Sequence, residues 1–343
     1  MSKRKGIALA GAAVGLTAGI VAERVAVKRR RTRDPEADEK FGSRRGERSR
    51  KIDLPDGARI FVEEFGPAKS SSAVVFVHGS ALRTDLWHYQ MKAFPGRRLI
   101  FFDMRGHGLS QPIGKEEYSM KTLADDLEAV IEACGLDEVV VVGHSVGGMV
   151  ALQFARDRSD LLGSRIKGIT LVNTTYRPPI ETIAGGAAMA HFERVMRRPF
   201  DILGSQSAKV DRLRKIIKPS DGLFWAVSFS AFGPHASAKQ IDFTYDMVAE
   251  TPSDTIFNLF KAYRGFDVTD HLGDVAVPAL VIAGAHDRIC LAEASEHMAT
   301  ELPKAQLVMF DEAGHMTMLE AHNRFNSVLE GFFEDTLGPA SST

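Results

Sequence analysis

The chain has 343 residues, of which 44% are hydrophobic and 25% are charged, as expected for a globular protein with a large core. Its net charge of -1 supplies no positive field for phosphates, so we expect no nucleic-acid partner. The two cysteines, Cys134 and Cys290, exclude a disulfide framework, and their spacing matches no metal site.

Residues 1–50 differ in character from the rest of the chain. An apolar run over 6–22 lies between basic residues, which are denser on its C-terminal side. Although the run is slightly shorter than the roughly 20 residues that span a bilayer, we predict a membrane anchor with the catalytic region on the cytoplasmic side. The alternative is a signal peptide that is cleaved on export. The charged stretch over 32–50 predicts a flexible tether.

Short apolar runs separated by helical patterns fill most of the remaining chain. Asp56-Gly57, flanked by alternating apolar residues, predicts a hairpin within 52–65. Strands are predicted over 73–77, 99–102, 138–142, 166–172, 279–283 and 306–310, and helices over 119–134, 149–155 and 319–333. Near-continuous apolar strands that alternate with helices form parallel sheets covered on both faces. We therefore predict an α/β core with a mostly parallel central sheet over 51–176 and 269–337.

Residues 177–268 break this alternation. They show helical patterns without strands and are rich in aromatic and methionine side chains, which predicts a helical cap inserted between two sheet strands. The candidate walls of a substrate pocket are Trp87, Phe224, Trp225 and Phe229. The same side chains could instead pack the cap onto the sheet, and the sequence leaves both interpretations open.

The pentapeptide Gly143-His144-Ser145-Val146-Gly147 carries the strongest catalytic signal. It follows a predicted strand and precedes a helical pattern, so Ser145 is expected on a sharp turn between the two. The glycines remove side chains that would collide with the strand and the helix, and the helix N-terminus favours negative charge nearby. We predict that Ser145 is a nucleophile.

A serine hydroxyl is a weak nucleophile unless a base takes its proton. His315, in the loop after the last predicted strand, is the candidate base. Asp287, after the strand over 279–283, would orient His315 and stabilise its protonated form. Other residues fit these two roles less well: His107, His144, His286, Asp267, Asp270 and Asp311.

Acyl transfer also requires two donors that stabilise the oxyanion. One is expected to be the backbone N–H of Val146, which directly follows the nucleophile. The other is expected to be the backbone N–H of Ser80, in the loop after the strand over 73–77.

Five motifs together resemble the α/β-hydrolase superfamily over 52–333. They are HG at 78–79, DMRGHGLS at 103–110, GHSVGG at 143–148, GAHD at 284–287 and GH at 314–315. The resemblance implies the α/β-hydrolase fold, whose triad follows the same chain order of serine, acid and histidine. The most similar branch contains small lipases and esterases, cofactor-free haloperoxidases and carbon–carbon bond hydrolases. Its members often carry a proline shortly after the acid, whereas this chain has Arg288-Ile289-Cys290-Leu291.

These residues predict a serine esterase or lipase that cleaves esters with an apolar acyl group through an acyl-enzyme, without a cofactor or metal. The same triad could instead carry out perhydrolysis or carbon–carbon hydrolysis. A non-catalytic ligand-binding protein on the same fold is the alternative from another class, because a fold alone does not define a reaction. The sequence leaves the oligomeric state open.

Overall fold

The computed structural model describes residues 23–111, 118–185, 206–216 and 221–340. The apolar run over 6–22, predicted to be a membrane anchor, lies outside these residues. Among the helices that are described, none combines the length and the apolar character that a membrane span requires.

An eight-stranded sheet forms the centre of the protein. Its strands are β1 (Arg48–Asp53), β2 (Arg59–Phe65), β3 (Ser72–Val77), β4 (Leu99–Phe102), β5 (Glu138–His144), β6 (Ile166–Val172), β7 (Ala279–Gly284) and β8 (Ala305–Phe310). They lie in the order β1-β2-β4-β3-β5-β6-β7-β8. Only β2 runs against its neighbours, and every pair from β4 to β8 is parallel. The predicted hairpin and the mostly parallel sheet are therefore confirmed.

Helices cover both faces of this sheet. They are α1 (23–32), α2 (Met120–Ala133), α3 (Val146–Asp157), α4 (Pro179–Thr182), α5 (Ser207–Ile216), α6 (Asp221–Ala231), α7 (Ala238–Glu250), α8 (Ser253–Tyr263), α9 (Ala292–Glu301), α10 (Thr317–Glu320) and α11 (His322–Leu337). Successive strand residues point to opposite faces. Accordingly, Val75 and Val77 of β3 pack with α2 and α3, whereas Val74 and Phe76 pack with α11 and the cap.

Two helical details differ from the sequence prediction. The helix predicted over 319–333 is divided into α10 and α11 by Ala321, whose φ of -125° and ψ of 38° are not helical. Helix α9 was missed, because it buries few large apolar side chains; its buried residues are Ala294, Ser295 and Met298.

The stretch between β6 and β7 contains α4 to α8, and its described residues form no strand. Ser237 begins α7 with a capping box, in which its hydroxyl accepts from the N–H of Gln240 and the Gln240 side chain accepts from the N–H of Ser237. Such a reciprocal pair satisfies two backbone donors that a helix start leaves unpaired. The described part of 177–268 is thus helical, as the sequence predicts.

The segment over 32–50 is not a free tether. Glu36 accepts hydrogen bonds from the Tyr89 hydroxyl at 2.6 Å and the Ser237 hydroxyl at 2.7 Å, and Arg45 forms an ion pair with buried Asp85. The Phe41 ring stacks on that of Phe243 at 4.7 Å. The composition of the segment favoured disorder, but several of its charged groups, such as Glu36 and Arg45, have polar or oppositely charged partners on the folded core.

Candidate active site

Ser145 lies on a strained turn between β5 and α3. Its φ of 53° and ψ of -121° fall in a region that non-glycine residues rarely adopt, at a cost of about 1–3 kcal/mol. A Cβ at Gly143 would lie 2.3 Å from the Gly147 carbonyl oxygen, and one at Gly147 would lie 2.2 Å from that of Val77. Only glycine fits at these two positions, so the backbone can make the turn that presents the serine at the carboxyl edge of the sheet.

His315 and Asp287 follow the last two strands and form a hydrogen-bonded pair. The His315 Nδ1–H donates to Asp287 Oδ2 at 2.8 Å, while Asp287 Oδ1 accepts from the N–H groups of Ile289 at 2.8 Å and Cys290 at 2.9 Å. Both side chains are buried. Because Nδ1 carries the proton, Nε2 of the neutral ring is left with the lone pair that a general base needs.

The residue that precedes Ser145 brings this pair to the nucleophile. The His144 Nε2–H donates to the His315 carbonyl oxygen at 3.0 Å, and the two rings lie 4.7 Å apart between centroids. The described residues include no hydrogen bond between the Ser145 hydroxyl and His315. In enzymes without substrate this contact is often long and shortens on binding.

The two predicted oxyanion donors have no acceptor among the described residues. Val146 is the first residue of α3, where an N–H has no intrahelical partner. In the loop of Ser80, the two N–H groups that follow it are already used: Ala81 donates to His107 Nε2, and Leu82 donates to the Gly79 carbonyl oxygen. A Cβ at Gly79 would lie 3.1 Å from the Ser145 Cβ, so this loop lies directly beside the nucleophile. Both N–H groups are therefore available to a developing negative charge.

Buried neutral histidines hold the surrounding loops together. His78 Nε2 accepts from the Met104 N–H at 2.9 Å, and His107 Nε2 accepts from the Ala81 N–H at 3.2 Å. Burial lowers the pKa of His78 to about 3 and that of His107 to about 4, so both rings are neutral at physiological pH. The histidines of the HG and DMRGHG motifs thus connect the loop after β3 with the loop after β4.

Asp103 supports the same loops from the DMRGHG motif. Its Oδ1 accepts from the Thr84 N–H at 2.8 Å, and its Oδ2 accepts from the Leu109 N–H at 2.8 Å. Burial raises the pKa of Asp103 to about 6. A Cβ at Gly108 would lie 2.1 Å from Asp103 Oδ2, which explains why glycine occupies that turn.

The other candidate aspartates lie away from His315. Asp267 accepts a hydrogen bond from the Thr269 hydroxyl at 2.7 Å, while Asp270 and Asp311 are exposed. Within the described residues, Asp287 alone pairs with His315.

The predicted pocket residues occupy two environments. Trp87 is buried 5.0 Å from Phe76 of β3, whereas Phe224 is buried against α1, where the guanidinium groups of Arg30 and Arg31 lie 5.6 and 5.3 Å from its ring. Trp225 and Phe229, four residues apart on α6, are 38% and 69% exposed, and the Phe229 ring lies 4.3 Å from the guanidinium group of Arg288, which directly follows Asp287. The structure therefore buries the first pair at two separate places and leaves the second pair partly exposed, with Phe229 beside the loop of the candidate acid.

Two residues at the site were missed from the sequence. The Asn173 Nδ2–H donates to the Gly314 carbonyl oxygen at 2.6 Å, and Glu320 accepts from the Gly314 N–H at 2.9 Å. Asn173 follows β6 and has a φ of 46°, a left-handed conformation that asparagine tolerates well. Neither residue belongs to a local motif, because each acts on the backbone of the loop that carries His315.

A parallel sheet of this order, a strained serine after β5 and an Asp–His pair after β7 and β8 define a protein of the α/β-hydrolase class. The chain belongs to the family described as the alpha/beta hydrolase fold, whose model matches residues 72–322. The resemblance inferred from the five motifs is confirmed.

Relatives from several bacteria align over most of the chain. A non-heme chloroperoxidase from Streptomyces lividans is 30% identical over 280 residues, which cover 79% of this chain and 94% of that protein. The AB hydrolase superfamily protein YisY of Bacillus subtilis is 25% identical over 284 residues, covering 82% and 97%. The 3-oxoadipate enol-lactonase 1 of Acinetobacter baylyi is 24% identical over 277 residues, covering 80% and 93%.

Solved structures of esterases share the fold. The esterase RhEst1 from Rhodococcus superposes with a TM-score of 0.68 at 21% identity, covering 84% of this chain and 99% of that one. An esterase from Exiguobacterium antarcticum superposes with a TM-score of 0.66 at 23% identity, covering 83% and 98%. At these identities the likeness shows the fold alone.

Proposed function

We propose that the protein is a serine-dependent hydrolase that cleaves carboxylic esters with an apolar acyl group. The observation that carries this proposal is the hydrogen-bonded pair of His315 and Asp287 beside the strained Ser145. The unoccupied N–H groups of Ser80 and Val146 supply what ester hydrolysis needs in addition, which is a site for the oxyanion.

In the proposed reaction, the Ser145 oxygen bonds to the acyl carbon while its proton passes to His315 Nε2. The carbonyl electrons move onto the oxygen, where the N–H groups of Ser80 and Val146 stabilise the charge. When the oxyanion collapses, the carbon–oxygen bond to the alcohol breaks and His315 returns the proton to the leaving alkoxide. Water, deprotonated by His315, then attacks the acyl-enzyme and releases the acid and Ser145. Asp287 holds His315 in the required tautomer throughout.

The apolar acyl group is proposed from the cluster between the sheet and the cap. Trp87 is buried there with its ring 6.5 Å from that of His144, and Phe232 is buried with its backbone against Gly314, the residue before His315. An acyl chain that entered beneath the cap would meet hydrocarbon and aromatic rings, which favours long or branched chains over charged ones.

A second candidate reaction is cofactor-free perhydrolysis, which the chloroperoxidase relative favours. In this reaction the acyl-enzyme is attacked by hydrogen peroxide in place of water, so the acyl group leaves as a peracid and Ser145 regains its proton through His315. The two reactions share every step up to the acyl-enzyme, and they are distinguished by adding peroxide and measuring peracid.

The test compares the full-length wild type with Ser145→Ala in detergent, using p-nitrophenyl esters of increasing acyl length. We expect turnover in wild type with an optimum at a medium or long chain, and its loss in the variant. Ser80→Ala is the matched control, because the proposed oxyanion contact uses the backbone of Ser80 and its side chain is dispensable. If wild type leaves every ester intact but reacts with a fluorophosphonate at Ser145, the triad is active and the proposed reaction is wrong. If it does neither, a non-catalytic binding protein replaces the hydrolase proposal.

We also propose that residues 6–22 anchor the chain in a membrane, with the catalytic region on the cytoplasmic side. Helix α1 supports this placement, because its described residues directly follow the run and dock on the cap. Val27 is buried there, and Arg30 donates to the Ser228 hydroxyl at 3.1 Å and the Ala236 carbonyl oxygen at 2.9 Å. The exposed basic residues of α1 would face anionic lipid head groups: Arg24, Lys28 and Arg29.

Mass spectrometry of the protein isolated from cell membranes tests this placement. An intact N-terminus, retention in membranes after a carbonate wash and release by Leu16→Arg would support an anchor. A mature chain that lacks the first residues would instead indicate a cleaved signal peptide, and protease protection in intact cells would report the side.

A further inference from the structure

Glu320 lies where the loop that carries His315 meets the cap. Its Oε1 accepts from the Gly314 N–H at 2.9 Å, and its Oε2 accepts from the Gly233 N–H at 2.7 Å. Gly314 directly precedes His315, and Gly233 follows the end of α6 by two residues. A single carboxylate thus joins the candidate base to the cap.

The two backbones meet at this point with no space between them. A Cβ at Gly314 would lie 2.7 Å from the Gly233 nitrogen, and a Cβ at Gly233 would lie 2.2 Å from the Glu312 carbonyl oxygen. The Gly314 carbonyl oxygen also accepts from Asn173 Nδ2 at 2.6 Å. The residue before His315 is therefore held at its N–H by Glu320 and at its carbonyl by Asn173.

Further contacts connect the same two elements. The Met316 N–H donates to the Ala231 carbonyl oxygen at 3.2 Å, and Gln240 Nε2 of α7 donates to the Leu319 carbonyl oxygen at 2.9 Å. Glu320 differs from these neighbours because its carboxylate can be protonated. The strength of its hydrogen bonds to Gly314 and Gly233 therefore depends on pH.

We propose that Glu320 is a positioning residue, whose ionised carboxylate fixes the loop of His315 against the end of α6. A protonated carboxyl would direct its O–H toward one of the two N–H donors, and one connection would be lost. The inference rests on the proposed role of His315 as base. Glu320 itself touches neither the nucleophile nor the acid in the described hydrogen bonds, so its effect on the reaction passes through the backbone of Gly314.

The surroundings of Glu320 place its titration near neutral pH. Burial raises its pKa to about 7, the negative charge of Asp287 acts in the same direction, and the backbone donors at Gly233, Gly314 and Met316 oppose both effects. The other titratable groups line a cavity of about 330 Å³ on its open side: His235, Asp311, Glu312 and Arg324. The connection to the cap would thus weaken just below neutral pH.

The test is the pH dependence of kcat/KM in the full-length wild type, in Glu320→Gln and in Glu320→Asp. In wild type, protonation of Glu320 should lower kcat/KM by up to about tenfold beyond the loss caused by protonation of the base. We therefore expect the acid side of the wild-type profile to fall more steeply than that of Glu320→Gln over the range in which Glu320 titrates. Glu320→Gln places an amide N–H against a backbone N–H at all pH values. We expect kcat of this variant to fall about tenfold with a smaller change in KM. The acid side of its pH profile of kcat/KM should be described by a single protonation. Glu320→Asp keeps the charge but is shorter, so its kcat should be intermediate.

Glu330→Gln is the matched control. Glu330 lies on α11 and accepts from Arg97 at 2.8 and 2.9 Å, far from His315 in the hydrogen-bond network. Loss of the Glu330 charge should lower the stability of the fold and leave the acid side of the pH profile of kcat/KM as in wild type. If Glu320→Gln does not fold, the wild-type profile alone decides, and an acid side that a single protonation describes over its whole length overturns the role of Glu320.

The rate of Ser145 labelling by a fluorophosphonate, measured over the same pH range, separates this inference from the proposed function. A wild type that is neither labelled nor active would overturn both. A wild type that is labelled, with Glu320→Gln labelled at the same rate and pH dependence, would overturn the role of Glu320 and leave the triad intact.

Discussion

The catalytic edge of the sheet and the cap are held in place by different forces. At the edge, backbone groups position the functional side chains: two N–H donors hold Asp287, and the turn at Ser145 has no space for a side chain at Gly143 or Gly147. In the cap, helices α6 and α7 rest on the sheet through apolar side chains. The edge therefore tolerates few substitutions, whereas the cap can vary while the chemistry stays the same.

Because they are held differently, the catalytic edge and the cap have different roles in the proposed function. The edge defines the proposed reaction, because each of its groups acts on a charge that appears during acyl transfer. Under the proposed function the cap would define which substrate reaches the edge, through the volume and polarity of its inner side. The two are joined by the connection at Glu320 and, on the outside of the cap, by the N-terminal segment.

Asp287→Asn should have the largest effect on the edge. The Asn oxygen can still accept from Ile289 and Cys290, but its NH₂ would face His315 Nδ1, which forces the imidazole into the wrong tautomer. We expect kcat to fall about 10⁴-fold with little change in stability. Steady-state kinetics on the best ester check this, with Asp311→Asn as the control because Asp311 is exposed. Equal losses in the two variants would contradict the assignment of the acid.

Gly147→Ala should disrupt the turn that carries Ser145. The added methyl would lie 2.2 Å from the Val77 carbonyl oxygen, which belongs to a rigid central strand. We expect the free energy of unfolding to fall by about 3 kcal/mol or more, together with a loss of activity. Gly331→Ala, in α11 with no atom within 4 Å of the added carbon, is the control and should be neutral or stabilising. Urea unfolding of both variants measures the contrast.

The catalytic edge was more predictable from the sequence than the cap, for a physical reason. Ser145 directly follows β5, and Asp287 and His315 lie in the loops after β7 and β8, whose apolar patterns are local. Parallel strands bring their carboxyl ends to one edge. Their relative placement thus follows from chain order and strand positions. Glu320 and Asn173 act on the backbone of Gly314 across the fold, so no local pattern reports them.

The packing of the cap and of the N-terminal segment could not be predicted from the sequence. Phe224 and Phe229 lie on the same helix and have similar sequence surroundings, yet one is buried and the other 69% exposed. Helix α6 is apolar on nearly every side, so its pattern cannot show which face packs inward. The segment over 32–50 was predicted to be a tether because it is charged and poor in apolar residues. Its partners, such as Asp85 and Tyr89, are distant in sequence, so no local pattern reports them.

The buried histidines of the edge should make stability depend on pH. His107 has its pKa lowered to about 4 in the fold, against about 6.5 when unfolded, so the unfolded chain binds the extra proton between these values. As pH falls from 6.5 toward 4, protonation of His107 in the unfolded chain therefore lowers the free energy of unfolding. From pH 7 to pH 5 we expect it to lower the free energy of unfolding by about 2 kcal/mol.

His107→Gln tests this contribution by urea unfolding at the two pH values. The Gln oxygen can accept from the Ala81 N–H without titrating, so the loss on acidification should be smaller than in wild type. Asp103 and Glu320, whose pKa values are raised, act in the opposite direction but are present in both proteins and cancel in the comparison. An unchanged pH dependence in the variant would show that His107 does not make this contribution.

Phe41→Ala should give the smallest of these effects and tests the outer connection of the cap. The Phe41 ring lies 4.7 Å from Phe243 of α7 and 4.8 Å from His88 of the core, so it contacts both regions. Leu109→Ala is the control, because that side chain is 53% exposed. Since Phe41 is half-buried, we expect its loss to lower the free energy of unfolding by about 1–2 kcal/mol, against less than about 0.5 kcal/mol for Leu109. Equal effects would mean that the N-terminal segment lies on the cap without stabilising it, and the cap would then be held by its inner face and the junction at Glu320.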